Sequence, residues 1–148
     1  MADADQTKPH KGIYYIILSF ALWMIVEYLT VWHSKPAEWV SLMPYVLIQY
    51  LVIVLIFSYF IFRRTWSEKR IFLLMLVVMY VLEFLWANPL LLNPLTFIPA
   101  SLLLTSIWGF LTFIPLWLVR RELGRHKLPA VLCLLWMPAG FIAAIILA

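Results

Sequence analysis

The stretch SLMPYVLIQYLVIVLIFSYFIF, residues 41–62, contains no charged side chain and is followed directly by Arg63 and Arg64. An α-helix rises 1.5 Å per residue, so about 20 residues cross the roughly 30 Å hydrocarbon core of a bilayer. Backbone N–H and C=O groups find no water in that core, and a helix pairs them within one segment. The stretch therefore predicts a transmembrane helix.

Four further apolar stretches of similar length accompany this one. They cover residues 13–33, 71–88, 99–119 and 129–148. Hydrophobic residues make up 66% of the chain and charged residues 12%, whereas soluble domains are about half apolar and about a quarter charged. A chain of 148 residues cannot bury that much apolar surface within itself. We therefore predict an all-α integral membrane protein with five transmembrane helices.

The basic residues indicate how these helices are oriented. Ten of the eleven lie in the N-terminal tail or in the loops after the second and fourth helices, and Lys35 is the exception. By the positive-inside rule, the N-terminus is cytoplasmic and the C-terminus lies outside the plasma (inner) membrane. Lipid headgroups or a partner are the expected contacts of the arginines that follow those helices, and nucleic acid is not. These arginines are Arg63, Arg64, Arg120 and Arg121.

The first two predicted helices resemble the next two. The aligned segments are VEYL at 26–29 with LEFL at 82–85 and FRR at 62–64 with VRR at 119–121. Pro44 and Pro99 also align, and each is predicted to start its helix. Their offset stays near 56 residues, which favours a tandem repeat of a two-helix hairpin plus one C-terminal helix. The alternative is a chance likeness between apolar segments. The predicted parts are a tail (1–12), two repeats (13–70 and 71–127) and a fifth helix (128–148).

Glu27 and Glu83 are the acidic residues within the predicted spans, at matching depth in the outer third of their helices. A charged side chain at mid-bilayer costs roughly 2.5–3.5 kcal/mol on insertion scales. We therefore expect both carboxyls to be protonated or to face a wet or protein-lined interior. Other polar side chains lie at similar depth or at the outer rim and complete a candidate binding site. They are Gln49, Thr105, Ser106 and Asn88.

Three functions are compatible with these carboxyls. They can be structural, each accepting a hydrogen bond from a neighbouring helix, in an accessory or scaffold subunit of a membrane complex. They can serve a small oligomeric carrier coupled to protons or cations. The alternative is a membrane enzyme in which Glu27 or Glu83 is the general acid toward an isoprenoid or another lipid. The expected partners are the bilayer and either further copies of the chain or other membrane subunits.

The fifth helix lies outside the repeat and carries Gly140 and Ala144, four residues apart. Small residues at that spacing allow helices to approach closely, so we expect this helix to pack against another copy or subunit. The chain has one cysteine, Cys133, and its three histidines, His10, His33 and His126, lie in tails, in loops or at the membrane surface. No metal site and no cofactor are therefore expected.

A repeated hairpin with an acidic residue near the outer face, here Glu27 and Glu83, resembles the layout of integral-membrane lycopene cyclases. That family has paired glutamates at the start of a partner helix, where Tyr45 and Val46 stand in this sequence. The likeness is one of arrangement, and no residue role is carried across.

Overall fold

The structure, a computed structural model, describes residues 9–32, 35–87 and 94–135. Helices account for 94% of these residues and no strand occurs among them, which confirms the all-α prediction. There are five helices in the described part. Asn88, Gly140 and Ala144 lie outside it, so the structure does not describe the predicted roles of these three residues.

Three helices continue into π-helical segments. Helix α1 is Pro9–Glu27 with a π segment Tyr28–Trp32, α2 is Pro36–Ser58 with Tyr59–Arg63, and α3 is Glu68–Met79 with Tyr80–Ala87. Helix α4 is Pro94–Arg120. A 3₁₀ turn, Leu123–His126, leads into α5, which is described over residues 127–135.

The helices begin earlier than the apolar stretches predicted, and three of them start at a proline. Pro9, Pro36 and Pro94 are the first residues of α1, α2 and α4. Proline suits the first turn, where a backbone N–H has no helical acceptor. The prediction that Pro44 and Pro99 mark helix starts was wrong, since both lie inside a helix.

Two of the described helices are long and apolar enough to cross a membrane. They are Pro36–Arg63 and Phe97–Arg120, whose most apolar 18-residue windows have mean hydropathies of 2.3 and 2.0. Only 33% and 50% of the residues in those windows are buried. Most residues of the apolar window in Pro36–Arg63 are therefore not buried inside the protein.

The chain divides into two compact units, residues 1–66 and 67–148. In the first, α1 packs on α2. The core face of α1 is a stripe of buried side chains four residues apart, Tyr15, Ser19 and Trp23. A spacing of four residues places side chains on one face of a helix. The opposing face of α2 buries Val54 and Phe57.

In the second unit, α3 packs on α4. Its core repeats the same spacing, because α3 buries Ile71, Met75 and Met79. Each of these residues stands 56 positions after its counterpart in the α1 stripe. Trp108 and Leu111 of α4 lie in the same core, at 2% and 0% exposure.

Each of the five helices also presents large apolar side chains at its surface. Examples, one per helix in chain order, are Ile17, Ile48, Leu73, Ile98 and Leu128. Their exposed fractions range from 61% to 70%. Exposed apolar surface of this extent is typical of proteins that contact lipid or another protein.

The ends of α2 and α4 place non-glycine residues in the left-handed region of backbone conformation. Arg121 has φ 59°. Its N–H donates to the Leu118 carbonyl at 3.1 Å, and the Glu122 N–H donates to the Trp117 carbonyl at 2.8 Å. This is the Schellman arrangement, in which the last carbonyls of a helix are satisfied by the turn that follows. Thr65, after α2, has φ 48°.

Candidate functional site

Both carboxylate oxygens of Glu27 accept hydrogen bonds from aromatic side chains. The Tyr50 hydroxyl on α2 donates to Oε2 at 2.6 Å, and the Trp32 indole Nε1 donates to Oε1 at 3.0 Å. Glu27 and Trp32 are half-buried, and Tyr50 is 8% exposed. The carboxylate therefore ties the end of α1 to the neighbouring helix.

The π-helical segment after Glu27 explains the bond from Trp32. In a π-helix the backbone bonds run from residue i to i+5, so side chains five residues apart lie roughly above one another. The segment begins at Tyr28, and Trp32 follows Glu27 by five residues. The Tyr50 ring is held separately, stacked on Trp23 with 4.6 Å between ring centroids.

Glu83 is the corresponding carboxylate of the second unit. It lies in the π segment of α3 and accepts a hydrogen bond at Oε1 from the Trp108 indole Nε1 on α4, at 3.1 Å. Trp108 is 2% exposed, so its indole is fixed by the core. In each unit, then, a half-buried glutamate on the first helix bonds an aromatic donor on the second.

The other predicted polar residues have different partners. The Thr105 hydroxyl contacts the Met79 sulfur at 3.9 Å, and the Ser106 hydroxyl donates to the Leu102 carbonyl one turn earlier, at 2.9 Å. Gln49 is exposed on α2. The indole donors Trp32 and Trp108 were not predicted from the sequence.

A groove of about 380 Å³ lies within the second unit, between α3, α4 and α5. Most of its lining is apolar, including Phe72 and Phe113. Thr105 and Ser106 also line it, and Glu68 is the one carboxylate among the described lining residues. Thr105 and Ser106, two of the predicted site residues, therefore border this groove, whereas Glu83 is not among its described lining residues.

A polar cluster joins the start of α3 to the end of α4. Oε1 of Glu68 accepts a hydrogen bond from the Trp117 indole Nε1 at 3.2 Å. Nη1 of Arg120 and Nε2 of His126 each lie 3.8 Å from the same oxygen. The imidazole of His126 stacks on Trp117, with 4.6 Å between centroids and 6° between planes. The sequence analysis had interpreted this region only as a basic loop.

The four arginines predicted to meet lipid headgroups differ in environment. Arg63, Arg64 and Arg121 are exposed. The Arg64 Nε donates to the Tyr59 hydroxyl at 3.0 Å. The Arg120 side chain is only 11% exposed beside Glu68, so it is oriented toward protein.

Comparison with models of protein families, with curated proteins and with solved structures finds no match to this chain.

Proposed function

We propose that the chain is an integral membrane protein whose five helices all cross the plasma membrane, with the N-terminus in the cytoplasm. The exposed apolar side chains on each described helix support this proposal, because water would disfavour such surfaces. The asymmetry of basic residues supports the orientation. The exposed Arg63 and Arg64 at the end of α2 fit the cytoplasmic headgroup layer.

Within that membrane, the chain acts as an accessory or scaffold subunit of a larger complex. The observation that carries this proposal is the pairing of Glu27 with Tyr50 and Trp32. A carboxylate whose two oxygens both accept hydrogen bonds from fixed aromatic donors is suited to holding helices together. A proton relay or general acid must exchange its proton with cargo or substrate, and these bonds would have to break first.

The duplicated hairpin is part of the same proposal. The buried stripes of α1 and α3 are offset by 56 residues, as are Glu27 and Glu83. The aromatic partners, Tyr50 and Trp108, are offset by 58 residues. Equivalent contacts at nearly one spacing support two copies of one structural unit.

The test is to extract the protein from its native membrane in mild detergent and to measure the particle mass with everything that co-purifies. We expect a stable particle larger than the 17.4 kDa chain that contains other membrane proteins. Glu27→Gln and Glu83→Gln should leave that particle assembled. A bare monomer or a homo-oligomer would contradict the subunit role.

A small oligomeric carrier is the second candidate, favoured by the groove that Thr105 and Ser106 line. A carrier should lose ion-coupled flux in Glu27→Gln or Glu83→Gln proteoliposomes while the protein stays folded. The alternative is a lipid-modifying enzyme with Glu27 or Glu83 as general acid. The groove does not support it, because its described lining includes Glu68 and neither of those two glutamates.

A further inference from the structure

Three potential metal ligands converge near the cluster around Glu68. One carboxylate oxygen of Glu68, one of Glu122 and one imidazole nitrogen of His126 all lie within 4.8 Å of one another. Glu68 is the first residue of α3, whereas Glu122 and His126 belong to the turn after α4. Residues distant in sequence thus bring two carboxylates and an imidazole together.

Trp117 orients two of these ligands. Its ring is 6% exposed and stacks on the His126 imidazole, while its Nε1 donates to Glu68 at 3.2 Å. Carboxylates and imidazoles that bind a metal are characteristically oriented by residues that contact them without binding the metal. The bond from Trp117 and the approach of Arg120 both end on Oε1 of Glu68.

The cluster contains two carboxylates and one guanidinium. Glu68 and Glu122 contribute two negative charges, and Arg120 contributes one positive charge at 3.8 Å from Glu68. A divalent ion would satisfy both carboxylates, which the single guanidinium does not.

We propose that Glu68, Glu122 and His126 form a binding site for a divalent transition-metal ion, with Zn²⁺ as the best match. Two carboxylates and one imidazole, with a remaining position for water, are ligands that Zn²⁺ accepts at about 2.0–2.2 Å. Tetrahedral ligation at those lengths places ligand atoms about 3.4 Å apart, so the ligand atoms, which lie within 4.8 Å of one another, move closer by at most about 1.4 Å on binding. All three are half-buried, which leaves room for that rotation.

The test uses the full chain, purified in mild detergent, stripped with a chelator and titrated with Zn²⁺ by calorimetry. We expect one Zn²⁺ per chain. Glu122→Gln and His126→Gln should each weaken binding by at least about tenfold. Glu38→Gln is the matched control, because Glu38 is an exposed glutamate paired with Lys35 and should bind as the wild type does.

Substitution with Co²⁺ gives an independent readout. The wild type should show visible bands of tetrahedral Co²⁺, and Glu122→Gln should lose them while retaining its helical circular dichroism. Trp117 is a positioning residue in this site. Trp117→Phe keeps the ring stack but removes the N–H donor, so it should weaken Zn²⁺ binding by about 10- to 100-fold. Undiminished affinity in both ligand variants, or the absence of any binding, would overturn the site.

Discussion

At the residue scale, the carboxylates of the described core bond aromatic donors. Indole N–H groups donate to Glu27, Glu68 and Glu83, and the Tyr50 phenol donates to Glu27 as well. Tyrosine and tryptophan combine a large apolar body with one polar group, so they satisfy a carboxylate without adding further unpaired polar atoms. This chemistry suits a helix pair surrounded by apolar surface.

The bond between Tyr50 and Glu27 should contribute measurably to stability. Tyr50→Phe removes the donor and keeps the ring that stacks on Trp23, so we expect a loss of about 1 kcal/mol in the free energy of unfolding. Unfolding in mixed detergent micelles measures it. Tyr45→Phe on the same helix is the control, because Tyr45 is 73% exposed.

A double-mutant cycle separates this bond from general effects of the substitutions. Glu27→Gln and Tyr50→Phe should be less than additive, since each removes the same interaction. Additive losses would show that the two side chains do not stabilise each other.

The backbone at Thr65 offers a stabilising substitution. A β-branched residue at φ 48° is strained, and glycine adopts that conformation freely. Thr65→Gly should therefore raise the free energy of unfolding by about 1 kcal/mol. Ser67, in the same loop at φ −65°, is the control, and Ser67→Gly should bring no gain. An equal gain at both sites would indicate that strain at Thr65 is not the cause.

At the element scale, π-helical segments position the glutamates differently from regular α-helices. The segment of α1 starts directly after Glu27, and Glu83 lies within the segment of α3. A regular helix would rotate Trp32 away from Glu27, because side chains there align at three and four residues. Hydrophobic patterning does not reveal this local change of period, so the Trp32 contact was not predictable from the sequence.

Gly109 of α4 lies opposite Cys133 of α5. A Cβ at this position would lie 3.8 Å from the Cys133 sulfur, an ordinary contact distance. Gly109→Ala should therefore raise the melting temperature, since alanine favours a helix over glycine by up to about 1 kcal/mol. Gly109→Leu should lower it, because the larger side chain needs the space of Cys133 and the groove.

Gly124 provides the comparison for Gly109. Nothing lies within 4 Å of a Cβ built there, so Gly124→Leu should change the melting temperature little. Equal effects of leucine at the two positions would argue against a close contact between α4 and α5.

The helices themselves were largely predictable, and their ends were not. Uncharged apolar stretches such as residues 41–62 determine where a helix must be. The starts depend on Pro36 and Pro94, which precede those stretches in more polar sequence. Glu27 and Glu83 stood out as carboxyls among apolar residues, whereas the ligand set of Glu68, Glu122 and His126 is visible only after folding.

At the scale of the whole molecule, the proposed orientation predicts which surface a protease reaches. Residues 63–65 are exposed near the end of the first compact unit. Trypsin should cut after Arg63 or Arg64 in sealed inside-out vesicles and leave right-side-out vesicles uncut there. Fragment masses from an N-terminally tagged chain give the cleavage position.

Lys35 supplies the complementary measurement. It is exposed between α1 and α2 and is followed by Pro36, which protects it from trypsin. A membrane-impermeant amine reagent should label it in right-side-out vesicles. Labelling of Lys35 and cleavage at Arg64 from the same side would contradict a membrane-crossing α2.

The bond between Glu27 and Tyr50 also bears on how the protein is made. The carboxylate leaves the ribosome 23 residues before the phenol that satisfies it. In the proposed membrane topology, Glu27 lacks its Tyr50 donor until α2 has been made, so we expect the two helices to leave the translocon together as a pair. The second hairpin has the same order, with Glu83 emerging 25 residues ahead of Trp108. Biogenesis would then proceed in two steps of two helices.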